Sequence, residues 1–203
     1  MHLKHELLWR FIPLFHAGIF ATLAVVGRIA FAYGKGRHSL AFSSSGSVRD
    51  YVARHLYLWL PVLDGSFLIF YAVTGEPGPT IVQKLAAIEA IRWCGVACLF
   101  IALIWVIAAQ TTMGASWRMG IDDKERTELV TRGPFSVSRN PIYLGIRLSL
   151  FGQLLLVQTW PVLLCFIVCD LLAQIQARFE EAHMHALYPA TYPDYCARVR
   201  RWL

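Results

Sequence analysis

The sequence predicts an all-α integral membrane protein with about five transmembrane helices, the last two forming a helical hairpin. Three observations carry this prediction. Hydrophobic residues make up 57% of the 203 positions and the mean hydropathy is +0.49, well above a soluble average. Apolar runs of membrane-crossing length occupy residues 11–33, 55–73 and 88–110. A further run continues from 141 to about 176, too long for one crossing at roughly 20 residues per span.

The elements follow in order. The first run is longer than the apolar core of a signal peptide and no clean small-x-small cleavage site follows it, so it reads as a retained helix. Residues 34–50 (GKGRHSLAFSSSGSVRD) are basic and rich in Gly and Ser, which predicts a flexible loop. Gly34-x-Gly36 follows no strand and carries no weight as a nucleotide fingerprint. Pro61 is expected to kink the second span near Asp64. The 111–140 loop mixes charges with aromatics and should fold against the membrane. Gln158-Thr159-Trp160-Pro161 interrupts the long apolar run as a tight turn. The tail, 178–203, alternates charge with Tyr188, Tyr192, Tyr195 and Trp202, as a helix with interfacial anchors would. No internal repeat is evident. The chain reads as a single membrane domain, 1–203, with three spans in 1–110 and a cytosolic-facing functional part in 111–203.

Lysine and arginine placement predicts the orientation. Thirteen lie in the 34–55 loop, the 111–140 loop and the tail, against Lys4, Arg10, Lys84 and Arg92 on the opposite side. The N-terminus is therefore expected outside and the C-terminus in the cytosol, in a multi-pass protein of the cell membrane. The net charge of +6 reads as positive-inside signal and contact with an anionic lipid bilayer, not as a nucleic-acid footprint. Of five cysteines, Cys94/Cys98 and Cys165/Cys169 form pairs one helical turn apart. Those four would make a thiolate site only if their helices met; small residues at helix contacts are the ordinary reading, and no metal is expected. An odd count gives no disulfide framework.

Ionisable groups at membrane depth are functional candidates and usually pair. Arg147 and Asp170 lie at equal distances from the turn near 158–159, so they should face each other across the hairpin. Their plainer role is a salt bridge holding that hairpin; contact with a ligand is the other. Arg28 and Asp64 are expected to pair likewise.

Arg139, Asn140 and Tyr143 place a cation, an amide and a phenol at the mouth of an apolar helix, a cluster that bilayer crossing does not require. Pro141 suits the first helical position, where a missing N–H costs nothing, and Asn140 then falls at the N-cap. Capping alone would explain Asn140. A cytosolic helix N-terminus beside Arg139 would also suit a carboxylate. Tyr143 should point into a cavity one turn in, although an interfacial tyrosine would look the same. Glu180 and Glu181 should sit at the C-terminal end of the fifth helix, where the macrodipole disfavours them unless a cation or hydroxyls bind there. The hairpin brings both clusters to one membrane face, matching a zwitterionic, hydroxyl-bearing ligand.

Gly133-Pro134-Phe135 with Arg139-Asn140-Pro141-x-Tyr143-x-Gly145, then Glu180-Glu181-x2-Met184-x2-Leu187-Tyr188-x3-Tyr192-x2-Tyr195-x2-Arg198-Val199, resembles the isoprenylcysteine carboxyl methyltransferase family and the related phospholipid methyltransferases. The resemblance covers about 110–203; earlier residues match only as hydrophobic spans. It implies S-adenosylmethionine as methyl donor, bound between the last helices and the tail, with a lipophilic or prenylated acceptor entering from the bilayer. On the first cofactor motif fall Pro134, Phe135, Arg139, Asn140, Pro141, Tyr143, Leu144 and Gly145; on the second, Glu180 and Glu181; upstream, Gly114 and Trp117 resemble the segment approaching the cofactor. Arg139, Glu181 and Tyr143 are the residues the resemblance brings to the chemistry. Two departures matter: Asn140 replaces the usual His and cannot titrate near neutrality, and Tyr188-Pro189 replaces Phe-Gly.

Methyl transfer from a sulfonium needs chiefly alignment and exclusion of water. Trp117, Phe135 and Tyr143 could hold the sulfonium by cation–π attraction. Arg139 would take the methionyl carboxylate, and Glu180 or Glu181 the ribose hydroxyls or α-amino group. The acceptor expected first is the carboxylate of an isoprenylcysteine-like molecule, or a thiol; a phospholipid or other small-molecule amine is the alternative favoured by Asn140. A non-catalytic transporter or assembly factor is the reading from another class, supported by the intramembrane Asp64, Arg147 and Asp170 and opposed by the absence of paired repeat halves.

Overall fold

Proline and glycine set most of the helix breaks. The computed structural model describes residues 2–34, 40–41, 47–76, 88–117, 119–120 and 128–203. Expectations resting on Lys35, Gly36, Arg37, Lys84, Arg118, Lys124 and Arg126 lie outside those residues.

The architecture is all-α, apart from a two-residue parallel pairing of Leu40–Ala41 with Met119–Gly120. Helix α1 (His2–Phe20) continues through a π-helical turn at Ala21–Val26 into α2 (Gly27–Gly34). Helix α3 (Val48–Arg54) passes through a second π-helical segment, His55–Trp59, into α4 (Leu60–Thr74). Pro61 sits just beyond that segment, and widening of the preceding turn is how the helix accommodates a ring with no N–H. Helix α5 spans Glu89–Met113, α6 Pro141–Val157, α7 Trp160–Leu187 and α8 Tyr192–Arg198.

Four helical stretches are long and apolar enough to cross a membrane: Leu7–Gly34, Val48–Thr74, Glu89–Met113 and Trp160–Leu187. The fifth expected span, α6, is apolar but only 17 residues long, at the short end of what a bilayer requires. The α6–α7 hairpin turns where the sequence breaks. Gln158 adopts a left-handed conformation (φ 52°), and extended Thr159 leads into Trp160 and Pro161.

Helices α5 and α6 make the most extensive helix–helix contact among the described residues, and small residues permit it. A Cβ on Gly95 would lie 2.9 Å from the Gly152 carbonyl oxygen, and one on Gly152 the same distance from that of Gly95. Polar side chains pin the neighbouring spans. The Gln110 amide donates to the Ala24 carbonyl at 2.8 Å, satisfying a group inside the first π-helical turn, and His16 donates to the Leu99 carbonyl at 3.0 Å. Such bonds matter where no water competes for the backbone.

Arg147 and Asp170 form an ion pair across the hairpin, at the depth the turn dictates. Arg28 and Asp64 do not pair. Arg28 donates to the Gly114 carbonyl at 2.5 Å and lies over the rings of Phe31 and Trp117, while Asp64 receives the Gln153 amide.

Helix α7 also runs further than expected. Nothing between Glu181 and Leu187 breaks a helix, so Glu180 and Glu181 lie about two turns before its end and clear of the C-terminal dipole. Tyr188-Pro189 stops it, and the tail is a short helix and a folded-back strand of chain instead of one continuous helix.

Candidate functional site

The N-terminus of α6 is held by the chain's own C-terminus. The Arg139 backbone N–H donates to the Arg200 carbonyl at 3.0 Å, and the Ser138 hydroxyl donates to that of Arg201 at 3.1 Å. Tyr195, on α8, donates its hydroxyl to the Phe135 carbonyl at 2.6 Å. Burial pushes the Tyr195 phenol up to about 12, so it remains a donor throughout the physiological range. Burial, then the charge of Glu181, likewise raises Tyr192.

Glu181 is the centre of this knot. Arg201 donates to both its oxygens, with Nη2 to Oε2 at 2.7 Å; Arg139 Nε reaches Oε1 at 3.3 Å and the Asn140 amide reaches it at 3.2 Å. The bonds from Glu181 raise the Arg201 guanidinium above its ordinary value. Arg139 further donates Nη1 to the Cys196 carbonyl at 3.2 Å. Asn140 does occupy the N-cap position, but its side chain makes no cap bond. Its amide donates to Glu181 and to the Arg201 carbonyl, so it ties the tail down and does not close the helix.

Glu180 faces the other way, into a cavity of about 440 Å³. It accepts from Tyr143 at 2.5 Å and from the Gln176 amide at 3.2 Å. The Tyr143 and Tyr57 hydroxyls share a hydrogen bond, and Tyr57 also reaches Glu180. The cavity lies among the α1–α2 region, α4, α5, α6 and α7, and most of its wall is apolar, as small-molecule sites usually are.

Of the residues expected from sequence, Trp117, Phe135, Arg139, Asn140, Pro141, Tyr143 and Glu180 line this cavity. Glu181 stands behind the wall in the ionic knot. Gly114, Pro134, Leu144 and Gly145 do not line it. Gly145 is a packing residue: a Cβ there would lie 2.3 Å from Val106 Cγ2. Gly114 has φ +56° and offers its carbonyl to Arg28, and that same Arg28 lies over Trp117, so this ring already has a cation. Residues the sequence did not single out are Arg201, counted only for its charge, and Tyr57, Gln153 and Gln176. Tyr57 and Gln153 were isolated polar residues in apolar runs, signals without a partner until the helices are assembled.

Residues 90–191 match the family model for phospholipid methyltransferase, just over half the chain, and the protein belongs to that family. It is a membrane methyltransferase. No curated protein matches the chain.

Proposed function

We propose that the chain transfers a methyl group from S-adenosylmethionine to a lipophilic acceptor that enters the cavity from the bilayer. The observation carrying this reading is the cavity itself: apolar over most of its wall, with Arg139, Asn140, Tyr143 and Glu180 gathered at one end. About 440 Å³ lies within the range of small-molecule sites. When bound, the donor supplies a methyl group on a sulfonium.

The residues present fit such a donor. Arg139 keeps Nη2 beyond its bonds to Glu181 and Cys196, and can meet a carboxylate beside the α6 N-terminus. Glu180 has lone pairs left after Tyr143 and Gln176, for hydroxyls or an amino group. Phe135 and Tyr143 offer ring surface to a sulfonium, worth about 0.5–2 kcal/mol each. Glu181, already engaged by three side chains, serves better to fix Arg139 and Asn140 than to meet the ligand. The tail clamped over α6 excludes water from that end, and fixed alignment of this kind can supply on the order of 7–11 kcal/mol.

Two acceptor classes remain in view: an isoprenylcysteine-like carboxylate or a thiol, and a phospholipid or other amine. Family membership and Asn140 support the second. The charge pattern supports a cytosolic C-terminus and hence a cytosolic donor end. The test is equilibrium binding of S-adenosylmethionine to purified protein, followed by label transfer to prenylcysteine, thiols and phosphatidylethanolamine. Absence of cofactor binding by the wild type overturns the reading.

A further inference from the structure

The cavity has a second polar end that the methyl-transfer reading does not use. Along α6, Tyr143 and Gln153 both face it, and ten residues separate them, roughly 15 Å along the helix axis. At the Gln153 end stands Asp64 of α4, which also lines the cavity and is 7% exposed. Gln153 is 3% exposed, and its amide nitrogen, in the orientation that satisfies both groups, donates to both Asp64 oxygens at 3.1 Å. Ser149, one turn before Gln153, adds a hydroxyl to the same wall.

Asp64 is thus a carboxyl group inside a membrane-spanning helix whose one protein partner, among the described residues, is a neutral amide. Two oxygens offer about four acceptor positions, and a single N–H₂ group leaves most of them open toward the cavity. Intramembrane carboxyls of this kind are costly and are retained where they meet a partner. The arginines nearest in the fold are engaged elsewhere: Arg28 is turned toward Gly114 and Trp117, Arg147 toward Asp170, and Arg139 toward Glu181. Structural pinning alone would not require the pair to open onto a cavity.

We infer that Asp64 and Gln153 form a distal subsite that receives a hydrogen-bond donor, a hydroxyl or an ammonium, carried by the lipophilic acceptor far from the atom that is methylated. This rests on the cavity being the acceptor site. The enzyme therefore selects elongated molecules with a polar group at each end over plain hydrocarbon chains. The carboxyl repels a distal carboxylate.

Binding of ten-carbon probes to the full-length protein in detergent separates the possibilities, using decanol, decylamine, decanoate and decane, each read as a thermal shift and as a titration midpoint. Decanol or decylamine should bind the wild type at least tenfold more tightly than decane, and decanoate, whose carboxylate can turn to Arg139 at the other end, should gain nothing from Asp64. Asp64→Leu should abolish that preference. Asp64→Asn, which keeps an acceptor but no charge and can still pair with Gln153, should preserve the preference for a hydroxyl and lose that for an ammonium. An unchanged preference in Asp64→Leu, or equal binding of decane and both donors by the wild type, overturns the subsite. S-adenosylmethionine affinity, measured in parallel, should be the same in all three proteins. Its absence from the wild type would defeat the proposed function while leaving the probe preference as a direct reading of the subsite.

Discussion

Glu180 and Glu181 are neighbours on one helix and live in different surroundings. Glu181 points to the tail, where two guanidiniums and an amide converge on it. Glu180 points into the cavity, where its hydrogen-bond partners are the phenols of Tyr143 and Tyr57 and the Gln176 amide, all neutral. A helix rotates about 100° per residue, so adjacency in sequence guarantees divergence in space. The difference separates two jobs: one carboxylate holds the site together and the other is left with capacity to bind.

Breaking the knot should have the largest effect. Glu181→Gln removes the charge that two arginines face, and losing one partner of a buried pair costs about 3–5 kcal/mol. Arg201 is about a third exposed, so the low end, about 3 kcal/mol, is expected. Thermal unfolding in detergent should record it, with early proteolytic release of the tail. A Glu181→Gln protein as stable as the wild type, with cofactor binding lost, would return Glu181 to the ligand.

Gly145→Ala comes next and tests whether the motif glycine is there for packing or for ligand approach. The added Cβ would press on Val106 at 2.3 Å, and overpacking costs about 1–3 kcal/mol. Stability should fall by about 2 kcal/mol while cofactor affinity per folded molecule stays at the wild-type value. Loss of affinity without loss of stability would reverse that assignment.

Glu180→Gln should give the inverse of Glu181→Gln. Its neutral donors remain able to bond an amide oxygen, so unfolding should shift by less than about 1 kcal/mol. Cofactor affinity or methyl transfer should fall about tenfold, which corresponds to about 1.4 kcal/mol. If Glu180→Gln instead destabilises as much as Glu181→Gln, the two carboxylates share one structural role.

How much of this was legible beforehand depends on the range of each interaction. Spans, the hairpin turn at Gln158-Thr159 and the Arg147–Asp170 pair follow from run length and symmetry about one turn, which are local in sequence. The meeting of Arg139 with Glu181 also follows, because the hairpin fixes both ends. Arg201 was not legible as a partner: it reaches Glu181 only because the chain doubles back after Pro189, and no pattern in the tail announces that path. Nor was the partner of Asp64, since nothing in the sequence sets the rotation of α4 against α6 before the helices pack. Asn140 shows a subtler failure. Its N-cap position was right, but its side chain makes no cap bond, because a buried carboxylate on the next helix takes the amide that capping would have used.

The smallest effect lies at the second anchor of the tail, Trp202. Its ring lies 4.5 Å from the Arg147 guanidinium carbon and packs against the apolar cluster around Leu56, Tyr143 and Ala173. Arg147 therefore has two partners, Asp170 across the hairpin and the indole from the tail. Trp202→Leu keeps the apolar contact and removes the ring face, so about 0.5–1 kcal/mol should be lost at this half-exposed position. The Arg147–Asp170 pair remains in place, so the hairpin should not loosen and the thermal midpoint should move only slightly. Limited proteolysis at the C-terminus is the sensitive readout: cleavage should quicken modestly in Trp202→Leu and much more in Glu181→Gln. Equal acceleration in both would mean that the tail is held as firmly by one aromatic face as by the ionic knot, against the ranking the geometry gives.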